Sequence, residues 1–195
     1  MIKFIVAPGH GYTFRPLRDA QEAGIPVPAQ LTNYRKLFDA KSVPPGIWAF
    51  CDNPDQYQLL VNDPSLAHSA TEEIVRWASP VMYFRRNVTH DTELRGHEIK
   101  AGDKVSIWYA SANRDEEVFA DPFRFDIERD PNDHVAFGGG GPHFCLGASL
   151  ARMEIRVLFE ELATRVPRLE PLGAPDRLRS NFIGGIKHLP VGLRT

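Results

Sequence analysis

The sequence predicts an α+β fold that is mainly α, and three observations predict it. An amphipathic helical pattern follows Cys145 and runs to Pro167, period-two stretches fill residues 81–109, and an irregular segment at 120–144 lies between them. Composition agrees with a packed core: 43% of residues are hydrophobic and 25% charged, with no low-complexity tract.

Residues 1–45 carry no motif. Pro8, Pro16, Pro26, Pro28, Pro44 and Pro45 interrupt them, Gly9, Gly11 and Gly24 add breaks, and one helix is predicted over 31–40. The Pro44-Pro45-Gly46 junction reads as a seam, which separates an unassigned segment 1–45 from a structured region 46–195. Asn53-Pro54 starts a helix that Asp63-Pro64 stops. Ser69 with Glu72 resembles a capping box for a helix running through Ile74, Val75 and Trp77 to Pro80. Residues 81–88 then read as a strand, residues 92–94 and 98–100 as a hairpin around Arg95-Gly96-His97, and Val105, Ile107 and Tyr109 as a half-buried strand. Residues 115–119 form a short turn.

Residues 120–144 hold Pro122, Pro131, Pro142 and four consecutive glycines. Structureless connections of this length inside a domain are usually functional. In the helix after Cys145, Ala151, Ile155, Leu158, Leu162 and Val166 make the apolar stripe. Arg152, Arg156, Glu160 and Glu161 line the other side, and Arg156–Glu160 and Glu161–Arg165 are i,i+4 pairs. A hairpin is predicted at 182–186.

Lys plus Arg is 23 and Asp plus Glu is 25, a formal charge of -2. That balance gives no long-range field to attract nucleic acid or an anionic membrane. No apolar stretch reaches the length of a membrane span, and the first residues make a poor signal peptide. The expectation is a soluble cytoplasmic protein.

Cys51 and Cys145 are too few for a disulfide framework and lack zinc spacing. Cys51 reads as a small buried hydrophobe. Cys145 stands at the end of Phe137-Gly-Gly-Gly-Gly-Pro-His-Phe-Cys-Leu-Gly147. Glycines 138 to 141 let the backbone lie against a flat ligand or take positive φ. A cysteine just before a helix meets the N-terminal dipole and free N–H groups, which favour a thiolate. Gly147 allows close approach, and Phe137 and Phe144 supply apolar cover. Taken singly, each part has another reading: a flexible turn, a phosphate cradle without its lysine, or a nucleophilic cysteine with His143 nearby.

Together these residues resemble the heme-ligand signature of the cytochrome P-450 family: an aromatic residue, a glycine-rich loop, a basic residue two before the cysteine, then Cys-x-Gly opening a helix. Phe137 lies one residue farther from the cysteine than in the usual pattern, and the extra glycine resembles a bacterial subgroup acting on sterols and lipids. Glu73-Ile-Val-Arg76 is similar to the family's Glu-x-x-Arg helix, although an i,i+3 pair is by itself more often a surface ion pair. Pro122-Phe-Arg124-Phe125 is similar to its Pro-x-Arg-Phe element.

The resemblance covers 46–195 and implies the C-terminal part of the cytochrome P-450 fold, with small β-hairpins, the cysteine-ligand loop and a long helix. It implies heme b (iron protoporphyrin IX) with Cys145 as axial iron ligand, and Phe137, Gly141 and Gly147 shaping the cofactor site. It gives His143 and Arg86 to the propionates, the alternative for Arg85 and Arg86 being a solvated strand face. It implies a structural cluster of Glu73, Arg76 and Arg124. The implied activity is insertion of one oxygen atom of O2 into a small hydrophobic, sterol- or lipid-like substrate. Electrons would come from a ferredoxin and ferredoxin reductase, docking near Arg85, Arg86 and Arg152.

The family's distal helix carries an Ala/Gly-Gly-x-x-Thr run whose acid–alcohol pair delivers protons to oxygen, and no stretch of residues 1–45 matches it. A truncated chain with an exposed apolar face is therefore expected, and a non-catalytic heme-binding remnant is the alternative function. No catalytic residue is assigned.

Overall fold

A computed structural model describes residues 43–194. The helix predicted over 31–40 lies outside the described residues, as does most of the unassigned segment. The first described helix, α1 (Val43–Asp52), has Pro44 and Pro45 in its opening turn. Proline is tolerated there because the first N–H groups of a helix have no intrahelical acceptor. The boundary drawn at 45/46 thus falls inside a helix. Gly46 is placed by packing: a Cβ there would lie 2.9 Å from Ile74 Cγ2 and 3.0 Å from Phe159 Cζ.

Helix α2 (Pro54–Asn62) begins and ends at the predicted breaks. A 3-10 turn (Pro64–Leu66) follows, capped by Asp63, whose carboxylate accepts the Ser65 N–H at 3.0 Å. It leads into α3 (Ala67–Ala78). The capping box predicted at Ser69 is corrected, because the helix starts two residues earlier. The Ser69 hydroxyl donates back to the Leu66 carbonyl at 3.0 Å, and Glu72 is engaged elsewhere.

Strand β1 (Tyr83–Asn87) pairs antiparallel with β4 (Lys104–Trp108). Between them β2 (Thr92–Leu94) and β3 (His97–Ile99) form a hairpin with Leu94 opposite His97. Its two-residue turn is Arg95-Gly96, both at positive φ (48° and 79°), the backbone that suits the strand twist. Strand β4 is not the half-buried strand its alternation predicts, since Ile107 is 42% and Trp108 50% exposed. Tyr109 is buried and opens the short helix α4 (Tyr109–Ala112). Residues 113–147 hold no regular helix or strand, and then α5 (Ala148–Arg165) follows with 18 residues.

After α5, β5 (Arg168–Pro171) pairs with β8 (Val191–Arg194), and β6 (Asp176–Arg177) with β7 (Ile186–His188). The hairpin predicted at 182–186 is corrected to these shorter strands. Segment 182–184 bonds instead to the chain after α3: the Met82 N–H donates to the Phe182 carbonyl at 2.9 Å and the Gly184 N–H to the Pro80 carbonyl at 2.8 Å.

The core lies between α1, α2, α3 and α5. Phe50 is its centre, with ring centroids of Tyr57, Phe125 and Phe159 at 5.3, 5.4 and 5.2 Å. Ile155, Leu158, Leu162 and Val166 of the predicted stripe are all buried, together with Phe159. Both predicted i,i+4 pairs of α5 form, Arg156–Glu160 at 3.6 Å and Glu161–Arg165 at 2.6 Å. No helix among the described residues is long and apolar enough to cross a membrane. Along one edge Phe84, Trp108 and Phe182 stay exposed while Tyr83 stacks on Trp108 at 4.7 Å.

Candidate functional site

Helix α3 places Glu73 and Arg76 one turn apart on a face turned into the protein. Both side chains are fully excluded from solvent and meet twice at 2.7 Å. A buried ion pair is tolerated only when its remaining donors and acceptors are also satisfied. Here they are. Arg76 uses all five N–H groups: two on Glu73, and one each on the carbonyls of Asn113, Pro122 and Arg124. Glu73 also accepts from the Asp126 N–H at 2.9 Å, Asn132 Nδ2 at 3.0 Å and Arg129 Nε at 3.3 Å.

The third member of this cluster is Arg129, and the expectation that the Arg124 guanidinium joins it is corrected. The Arg124 side chain is 62% exposed and reaches only Asp126, at 4.0 Å. Its contribution is a backbone carbonyl, which accepts from both Arg76 and Arg129. Arg129 also donates to the carbonyls of Ala120 and Asp121, so it folds residues 120–129 around itself.

Two amides fix the irregular segment elsewhere. Asn113, fully buried, donates to the Ser79 hydroxyl at 2.9 Å and accepts the Val135 N–H at 2.8 Å. Gln56 accepts the Ile127 N–H at 2.9 Å. Neither stood out in the sequence, because a lone Asn or Gln leaves no local pattern.

The anchored segment delivers the glycine loop. The Cys145 N–H donates to the Phe137 carbonyl at 2.9 Å and closes the loop at its base. Within it the Phe144 N–H donates to the Gly141 carbonyl at 3.0 Å. Gly138, Gly140 and Gly141 have φ of 96°, 97° and 75°, which side-chain-bearing residues avoid. Cβ atoms placed at Gly139, Gly140, Gly141 and Gly147 would meet nothing within 4 Å. Glycine at 140 and 141 therefore answers to backbone conformation. Cys145 is exposed rather than packed among aliphatic side chains, and the Ala148 N–H donates to its carbonyl where α5 opens.

Phe84 links Arg86 to Tyr109, whose hydroxyl reaches the loop. The Arg86 guanidinium stands 5.8 Å from the Phe84 ring, and that ring lies 5.9 Å from Tyr109. The Tyr109 hydroxyl would be 3.8 Å from a Cβ at Gly138. Strand β1 is thus connected to the loop through Tyr109, and Arg86 and His143 are both exposed. Among the described residues no three His, Cys, Asp or Glu side chains gather to hold a bare metal ion.

Arg152 does not line a solvent face as its position on α5 predicts. It grips Glu72 of α3 through Nε at 2.7 Å and Nη2 at 2.8 Å, a bidentate fork. Burial pushes the Glu72 carboxyl up, but hydrogen bonds from His134 and Arg152 outweigh it and hold the group at about 2. The Glu72 hydrogen bond raises the Arg152 pKa, with Cys145 adding to the effect.

Comparison with known proteins agrees with this architecture. The cytochrome P450 family model matches residues 57–165, more than half of the chain. A methyl-branched lipid omega-hydroxylase of Mycobacterium tuberculosis is 58% identical over 147 residues, 75% of this chain and 34% of that protein. A steroid C26-monooxygenase of Mycolicibacterium smegmatis is 50% identical over 150 residues, 77% of this chain and 35% of that protein. A Mycobacterium marinum cytochrome P450 solved with pseudoionone superposes with a TM-score of 0.75 at 45% identity, covering 78% of this chain and 37% of that one. The chain thus spans about one third of the length of the curated relatives it matches. With its buried Glu73–Arg76 pair, its glycine loop and its exposed cysteine, this chain belongs to the cytochrome P450 family.

Proposed function

We propose that this chain carries the cysteine-ligand part of a heme-thiolate monooxygenase that inserts one oxygen atom of O2 into a hydrophobic, sterol- or lipid-like substrate. The observation that carries the reading is Cys145 itself: exposed, tied by its N–H to Phe137, and set at the mouth of α5. Cytochromes P450 carry heme b bound through a cysteine thiolate, which pushes electron density to iron and favours O–O cleavage.

The residues present fit that group. The loop beside Cys145 has glycines at which added Cβ atoms would touch no protein, and the ring of Phe144 within it is exposed. Cys145 would hold the iron. Gly141 and Gly147 would keep the loop free of side chains, and Phe137 would cover the sulfur side. Arg86 and His143 would hold the propionates, which need cationic or hydrogen-bonding partners. Glu73, Arg76 and Arg129 keep the loop's approach fixed, so the ligand is oriented before any cofactor binds. The relatives named as lipid and steroid hydroxylases support a substrate of that class. The donor proposed for its electrons is a ferredoxin with its reductase.

The alternative reading is a polypeptide that binds heme without turning over substrate. One experiment separates the two. Purified protein is titrated with heme, reduced under carbon monoxide, and assayed with ferredoxin, reductase and a branched fatty acid. A thiolate-type Soret band with product formation supports the monooxygenase, and the band without product supports the second reading. Cys145→Ser must abolish the band; its retention refutes Cys145 as ligand.

A further inference from the structure

Arg152 has no role in the function above, beyond the expected docking of an electron donor. Its surroundings describe a different task. The guanidinium is forked on Glu72 and lies 4.6 Å from the centroid of the Phe137 ring. A planar cation over an aromatic face is attracted by the ring quadrupole, and guanidinium suits this better than an ammonium.

His134 completes the arrangement. Its Nδ1 accepts the Ala136 N–H at 3.3 Å, which assigns the ring proton to Nε2, and Nε2 faces Glu72 Oε2 at 3.1 Å. Glu72 on α3 therefore receives donors from the loop and from α5 at once. The His134 ring lies 5.9 Å from Phe137. The side chain of Phe137 is thus held by Arg152 and His134, while its carbonyl accepts the Cys145 N–H at 2.9 Å. One residue joins the ionic clamp to the backbone of the cysteine.

We propose that Arg152 is a positioning residue for Cys145, acting through the Phe137 ring, and not a free docking cation. The chain of contacts is continuous: Glu72 orients Arg152, Arg152 fixes the Phe137 ring, and Phe137 fixes the Cys145 N–H. Residues that orient a metal ligand from behind typically change metal affinity about 10- to 100-fold when they are removed. The inference rests on the heme-thiolate reading of Cys145, and its test separates the two.

Wild type, Arg152→Gln, Arg152→Lys and, as a control outside the clamp, Arg156→Gln are titrated with heme, and their reduced carbon monoxide spectra are recorded. Arg152→Gln is expected to weaken heme binding about 10- to 100-fold and to lose part of the thiolate-type band. Arg152→Lys recovers only part of this, since it keeps charge without the fork, and Arg156→Gln matches wild type. Unchanged affinity and spectrum in Arg152→Gln overturn the proposal. Should Arg152→Gln not fold, Glu72→Gln takes its place, with the same direction of change supporting the proposal and no change overturning it.

Backbone amide exchange of Cys145 in the heme-free chain decides the matter independently. Faster exchange in Arg152→Gln than in wild type supports the clamp, and equal rates overturn it. If wild type shows no thiolate-type band, the heme reading fails, and the exchange rates alone judge the clamp.

Discussion

Glu72 and Glu73 are consecutive on α3, yet they hold different ends of the same irregular segment. Glu73 takes donors from Asp126, Arg129 and Asn132, whereas Glu72 takes them from His134 and from Arg152 on α5. Neighbouring positions on a helix point about 100° apart, so one turn of α3 addresses two sides of the loop.

Breaking the inner pair should be severe. Arg76→Ala leaves a buried carboxylate short of two charge-assisted bonds and removes a donor from each of three main-chain carbonyls, of which only that of Arg124 keeps another, from Arg129. A loss of about 3–5 kcal/mol in unfolding free energy is expected, read from urea denaturation. A loss under about 1 kcal/mol would mean that the pair is not buried as described.

Arg124 and Arg129 should behave oppositely although both lie in the same loop. Arg124→Ala removes an exposed guanidinium and is expected to change stability by less than about 0.5 kcal/mol. Arg129→Ala removes donors from Glu73 and three carbonyls and is expected to cost about 1–3 kcal/mol. Denaturation curves of the two variants, run side by side, check the assignment of Arg129 as the cluster's second cation.

The outer pair sets an acid response. Glu72 is held at about 2 against an ordinary 4.5, so its charged form is favoured in the folded chain. The stability it contributes is fully present above pH 4.5 and lost as pH falls toward 2. Wild type should therefore lose stability faster than Glu72→Gln between pH 5 and 2. Parallel pH profiles of the two would argue against the clamp.

The two thiols should label at different rates. Burial, with Asp52 adding to it, pushes Cys51 up to about 11, which lowers its thiolate fraction roughly 100-fold relative to an ordinary value of 9. Cys145 is exposed. Alkylation of the heme-free chain near pH 8 should modify one cysteine rapidly, and peptide mapping should find it at 145.

Local patterns were readable and distant partners were not. The helix behind Cys145, the Glu73–Arg76 spacing and the glycine loop each announce themselves within about ten residues. Arg129 could not be separated from Arg124, because both are arginines in a segment without periodicity, and only the folded path of residues 120–129 turns one inward. Arg152 falls on the polar side of its helix, and its partner lies 80 residues earlier. Ser69 and Glu72 have the spacing of a cap but sit within a helix that Asp63 and Pro64 had already begun. The exposure of Ile107 breaks the alternation rule, because β4 pairs with β1 alone in a two-stranded sheet.

Three of the five donors of Arg76 grasp main-chain oxygens, at Asn113, Pro122 and Arg124. What that arginine recognises at the last two is the course of the chain, indifferent to what each residue displays outward. Relatives can thus drift in sequence at Phe123, the open position of the Pro-x-Arg-Phe element, whose side chain faces solvent, while the path beneath stays the same. A fixed scaffold under a variable exterior gives this region latitude to change the surface it offers other molecules without disturbing the thiol it supports.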